Sequence, residues 1–201
     1  MGCAISGSGL TPRTQESRNT EDESPARLTP RHIHLIKESW KVIQEDIAKV
    51  GIIMFVRLFE THPECKDVFF LFRDVEDLER LRTNRELRAH GLRVMSFIEK
   101  SVARLDQLER LETLALELGK SHYRYNAPPK YYGYVGAEFI CAVQPILKDK
   151  WTAELEQAWK TLFQYVTGIM KEGYLEEERT KRNVMLTTST KERPDKRNTM
   201  I

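Results

Sequence analysis

Residues 85–122 read RELRAHGLRVMSFIEKSVARLDQLERLETLALELGKSH, and the histidines at 90 and 122 decide how the chain is understood. Leu87, His90, Gly91, Val94, Phe97 and Ile98 recur at intervals of three and four, as do Leu108, Leu111, Leu114, Ala115, Leu118 and His122. That spacing puts each set on one face of a helix. Each histidine therefore lies on an apolar stripe. An imidazole there is either a hydrogen-bonded core residue or a ligand. Two of them, on separate helices and among aromatic residues, favour ligation. A structural zinc needs more ligands, and no Cys, Asp or Glu shares these faces. Haem fits better: its iron takes imidazole, and its flat ring wants apolar and aromatic walls. The chain has no CxxCH, so such a haem is expected to be bound non-covalently.

The flanking sequence is helical throughout. Thr29-Pro30 is a cap followed by proline at the first helical position, and opens a helix carrying Ile33, Ile36, Trp40, Ile43 and Ile47 inward. Gly51 to Glu60 continues as a second helix with Phe55, Leu58 and Phe59. Pro63 opens a short turn ending in Val68-Phe69-Phe70-Leu71-Phe72. Residues 73–82 are a loop or short helix. Thr83-Asn84-Arg85-Glu86 and Asp106-Gln107-Leu108-Glu109 have capping-box spacing and open the two histidine helices. Pro128-Pro129 ends the second. Two more helices follow, one with Tyr132, Val135, Gly136, Phe139, Ile140 and Val143, the other starting at Thr152 and burying Leu155, Trp159, Leu162, Val166 and Ile169. No strand pattern is present, so the expected class is all-α, with six or seven helices in one domain over 29–175. Residues 1–28 and 176–201 are polar, charged and aperiodic, and are expected to be disordered tails.

Composition narrows the function. The chain has 201 residues, 40% hydrophobic and 31% charged, ordinary for a soluble domain with its own core. A net charge of +2 with no focused basic stripe argues against nucleic acid. No apolar run approaches the roughly 18 residues of a membrane span. There is no apolar secretory h-region, so a cytosolic setting is expected. The three cysteines include no CxxC pair.

Ser39-Trp40, Phe55 to Phe59, Pro63 followed six residues later by Phe69, then His90, then Leu118-Gly119-Lys120-Ser121-His122, together resemble the globin family. The resemblance runs from about Thr29 to Tyr174 and implies a globin fold, a helical sandwich around haem b. It implies that His122 is the proximal iron ligand, His90 the distal histidine and Phe69 the phenylalanine stacked on the haem. Phe55 and Val94 would line the distal side, Arg93 would point outward towards a propionate, and Tyr132, Val135 and Phe139 would line the far wall. The intervals look most similar to neuroglobin-like globins, in which both histidines bind iron. Six-coordinate iron implies that O2, NO, CO or nitrite must displace His90, which lowers apparent affinity by the fraction open. The expected role is then redox: electron transfer from an unidentified donor, protection against reactive oxygen, or nitrite reduction to nitric oxide. The alternative is an oxygen store or an oxygen/redox sensor.

Met1-Gly2-Cys3-Ala4-Ile5-Ser6 matches the N-myristoylation pattern, with Gly2 the acceptor. One myristoyl chain binds membranes only marginally, about 10⁴ M⁻¹, so a second signal is required. The leader is not polybasic, since Arg13, Arg18 and Arg27 are opposed by Glu16, Glu21, Asp22 and Glu23. Palmitoylation of Cys3 is the natural second anchor. The expected location is the cytoplasmic face of the plasma membrane, and with this N-terminus the resemblance is strongest to the membrane-associated globin X group. Cys65 and Cys141 lie in regions that a globin-like fold brings near each other. They are expected to form either a reversible disulfide or two reduced thiols. His32, His34 and His62 are read as surface or capping residues.

Overall fold

The structure is a computed structural model that describes residues 27–75 and 77–191, the side chains of 187–191 excepted. Seven α-helices are found among them, joined by turns of tighter pitch: α1 Pro30–Ile43, α2 Ile47–Thr61, α3 Leu78–Arg82, α4 Arg85–Val102, α5 Leu108–Arg124, α6 Tyr132–Leu147 and α7 Ala153–Lys191. No strand occurs among the described residues. The all-α expectation holds. α7 runs along α5, α6 and α1, while α2 crosses α4 and packs on α6.

Each helix start has a local cause. The Thr29 hydroxyl accepts from the amide of His32 at 3.1 Å, with proline at the first position. Thr152 does the same for Leu155 at 3.1 Å. The α4 cap falls one residue later than the capping-box reading: Asn84 Oδ1 accepts from Leu87 N at 2.9 Å, while the Thr83 hydroxyl turns back to Arg80 O. The second expected box does not form. Asp106 is drawn to Lys37 on α1, and α5 starts at Leu108 with no side-chain cap.

Two other expectations are corrected. Ile47 does not belong to the first helix. Asp46 takes φ −140° and ψ 50°, which breaks the chain direction, and Ile47 opens α2. The polar Gln44-Glu45-Asp46 has nothing to bury and so nothing to hold it in register. The last helix also does not stop at 175 but continues to Lys191. Glu176 and Glu177 pair with Lys120 (3.4 Å) and Arg124 (3.1 Å) of α5. Beyond them the exposed turns 181–186 follow a helix already nucleated, and adding residues to a formed helix is easy for Glu, Arg and Lys. Low apolar content predicts poor packing, which is what is found, but does not by itself end a helix.

The core is made by Ile36, Trp40, Phe55, Phe59, Met95, Phe139, Trp159 and their neighbours. Trp159 donates its indole N–H to the Ser39 hydroxyl at 3.1 Å, satisfying the buried polar atoms between α1 and α7. The buried Glu138 carboxylate is held by Arg57 at 2.9 Å and by the Thr61 hydroxyl at 2.8 Å.

Two helix crossings are close enough to require glycine. A Cβ on Gly51 would stand 3.0 Å from the carbonyl carbon of Gly91, and one on Gly91 would stand 3.0 Å from that of Gly51. Across α5 and α7, a Cβ on Gly119 would lie 2.0 Å from Met170 O, and one on Gly173 would lie 2.2 Å from Leu116 O. Gly119→Ala should destabilise the protein by about 1–3 kcal/mol, because the added methyl meets main chain that cannot rotate away. Gly168→Ala on α7, where a Cβ meets nothing within 4 Å, should be neutral or stabilising by up to about 1 kcal/mol. Urea midpoints of the two variants check this, and equal midpoints would contradict it.

Candidate functional site

His90 and His122 sit beside the two glycine crossings. His90 immediately precedes Gly91 on α4; His122 follows Gly119 by three residues on α5. The crossings bring the faces carrying both rings towards the interior, and each imidazole is only partly exposed.

The two rings have different surroundings. His90 is walled by aromatic edges: Phe55 at 4.8 Å between ring centroids and 74°, Phe69 at 5.1 Å and 86°. Its Nδ1 lies 3.4 Å from Nη2 of Arg93, one turn along α4. The Nδ1–H of His122 donates to the carbonyl of Leu118 at 2.9 Å, and its ring meets the edge of Tyr132 at 5.3 Å and 79°. That hydrogen bond puts the His122 proton on Nδ1, which leaves the Nε2 lone pair for a ligand bond.

Burial shapes the electrostatics. It pushes His90 down to about 4, helped by the charge of Arg93 and by His122. Burial also lowers His122, and the Leu118 carbonyl opposes it. At neutral pH both rings are uncharged, which is the form that binds metal.

The structure brings together Phe55, Phe69, His90 and Arg93 on one side, and His122 and Tyr132 on the other. Val94 and Val135 are half-buried and pack against the core. Phe139 is fully buried, and its ring contacts are Trp159 (4.9 Å) and Phe163 (5.1 Å), not a histidine. It is a core residue at the junction of α6 and α7. Arg93 is exposed, as expected, yet its hydrogen-bond partner is His90. Spacing of three on a helix was the available signal for that pair. The Leu118 carbonyl, one turn before His122, was legible on the same grounds. His62 is more than a capping residue: it ends α2 and stacks flat on Tyr134 at 3.7 Å. The Nδ1 of His32 is buried without a partner.

Cys65 and Cys141 are both free. The Cys65 thiol is buried and pushed up to about 11, chiefly by desolvation. Cys141 is exposed beside Arg57. The structure does not join them, and a thiol raised so far is a poor nucleophile for exchange. Gly2 and Cys3 lie outside the described residues.

A pH dependence follows. The folded pKa of His90 is depressed below its ordinary value, so between about 6.5 and about 4 the unfolded chain binds more protons than the folded one. The haem-free chain should lose stability as pH falls through that window, and His90→Leu should flatten the loss. Urea unfolding at pH 7, 6 and 5 measures it; an identical slope in both proteins would contradict the burial of a neutral His90.

The comparisons with known proteins agree with the architecture. The globin family model matches residues 53–170. The chain is 31% identical over 148 residues to Neuroglobin-1 of Oncorhynchus mykiss, covering 74% of this chain and 93% of that protein. It is 27% identical over 166 residues to Cytoglobin-2 of Danio rerio, covering 80% and 93%. Among solved structures, a hexacoordinated heme protein from an anhydrobiotic tardigrade superposes with a TM-score of 0.68 at 24% identity, covering 73% of this chain and 95% of that one. This likeness concerns the fold. With the family model matching more than half of its length, the chain belongs to the globin family, on its neuroglobin-like side.

Proposed function

We propose that this globin binds haem b non-covalently between His122 and His90 and uses it in redox chemistry. The observation that carries the reading is the His122 Nδ1–Leu118 carbonyl hydrogen bond, which leaves Nε2 unprotonated, with the neutral His90 across the interior. The walls suit a flat apolar group: Phe55 and Phe69 on the side of His90, Tyr132 on the side of His122. When bound, haem iron supplies reversible attachment of O2, NO or CO and one-electron exchange.

The chain's own residues set the terms of that chemistry. His122 is fixed by its hydrogen bond and by Tyr132, and serves as the permanent ligand. His90 has no main-chain partner of this kind, its one hydrogen bond being the 3.4 Å contact from the exposed Arg93, and is the displaceable one. A resting site closed by His90 lowers the apparent affinity for small ligands. Once displaced, His90 can donate a hydrogen bond from Nε2. Nitrite takes up one electron and two protons to give NO and water; the protons would come from solvent, while the neutral His90 would donate a hydrogen bond from Nε2 to the bound anion. This favours electron transfer, protection against reactive oxygen, or nitrite reduction, fed by an electron donor still to be identified. The second reading is an oxygen store or sensor, favoured if displacement proves fast.

The motif Met1–Ser6 supports a further part of the reading: myristoylation of Gly2 and palmitoylation of Cys3, holding the protein at the cytoplasmic face of the plasma membrane. It also supports a place in the membrane-associated globin X group.

His122→Ala should abolish stable haem retention, whereas His90→Leu should keep haem and convert the ferrous spectrum from six- to five-coordinate. A wild-type protein that takes up no haem would end this reading. Gly2→Ala should block myristate incorporation and move the protein to the soluble fraction of cells. Unchanged membrane recovery would overturn the anchoring part alone.

A further inference from the structure

A neutral imidazole carries its proton on one nitrogen, and the partner of the other nitrogen decides which. Arg93 Nη2 lies 3.4 Å from Nδ1 of His90. A guanidinium offers only donors and stays protonated. In this contact Nδ1 must therefore accept, and the His90 proton belongs on Nε2. His122 is in the opposite state, with Nδ1 donating to Leu118 and Nε2 open. The two histidines of one site are prepared differently. A ring with its proton on Nε2 can donate a hydrogen bond from that nitrogen. It cannot bind a metal through it until the proton moves to Nδ1, where it would face the N–H groups of Arg93.

We propose that Arg93 is a positioning residue that holds His90 in its Nε2–H tautomer, opposing ligation of haem iron by His90 and aiming a hydrogen-bond donor at a small ligand on that side. The inference rests on the haem reading above. It concerns the share of protein in which His90 is detached, and so the apparent affinity and association rate for O2, CO, NO or nitrite. Among the described residues no carboxylate diverts Arg93 from the contact. Its exposed position lets it leave when His90 ligates.

The test uses the haem-loaded full chain and reads coordination rather than turnover. Arg93→Met removes the donor. Arg93→Glu replaces it with an acceptor, which favours the proton on Nδ1 and hence ligation by His90. Ferrous absorption spectra and CO association after flash photolysis should show the bis-histidyl share rising from wild type to Met to Glu. CO association should slow by up to about tenfold, the scale of one charge-assisted hydrogen bond. Arg93→Lys keeps a donor and should stay near wild type.

Equal coordination in all four proteins, with faster loss of haem to a scavenger in the Met and Glu variants, would mean that Arg93 serves a propionate and would overturn the proposal. So would a Glu variant indistinguishable from Met. His90→Leu separates the two levels. If it leaves the wild-type spectrum unchanged, the resting six-coordinate part of the haem reading falls; the proposal about Arg93 then stands only if Arg93→Glu becomes six-coordinate, and falls if it does not. If it changes the spectrum while the Arg93 variants do not, the proposal about Arg93 falls alone.

Discussion

The site depends on how closely two pairs of helices approach. Helices normally pack about 8–10 Å apart, the distance set by the side chains between them. Here α2 meets α4 through Gly51 and Gly91, and α5 meets α7 through Gly119 and Gly173, with main chain against main chain. A methyl group at Gly119 would fall 2.0 Å from a carbonyl oxygen. Each crossing lies within a turn of one histidine. The depth of His90 and His122 is therefore set by main-chain contact, which is stiffer than side-chain packing.

Burial then does the chemical work. Removing the imidazoles from water disfavours their charged forms. The neutral rings are distinguished by their nearest polar partner, a carbonyl for His122 and a guanidinium for His90. One partner accepts a proton-bearing nitrogen and the other donates to a bare one. The two rings thus differ through a local partner, one helical turn away in each case, and the proposed division into a fixed and a displaceable ligand would have that origin.

Much of this was legible in the sequence, because helical periodicity places residues on faces regardless of tertiary detail. The company of Phe55 and Phe69 comes from the family resemblance, while the stripes carrying His90 and His122 and the cap at Thr29 follow from spacing alone. Features decided by competition between partners did not. Asp106 has the spacing of a helix cap, yet Lys37, 69 residues earlier, claims it. Arg93 reads as an outward residue suited to a propionate, and its contact with His90 depends on side-chain rotamers. Phe139 shares a stripe with pocket-facing positions but turns to Trp159 and Phe163. The extension of α7 was hidden because composition reports packing, while helix growth past Glu177 is a matter of propagation.

The partner of His122 has one more consequence. Where a metal-binding histidine donates to a carboxylate, the ring acquires imidazolate character and pushes electron density onto its metal. In this chain the acceptor is the peptide carbonyl of Leu118, a weaker base without formal charge. The ring remains an ordinary imidazole donor. Such a ligand gives little help to cleavage of an O–O bond and leaves the reduced metal comparatively favoured. On the haem reading proposed above, such a proximal side would suit reversible attachment and one-electron traffic better than peroxide activation.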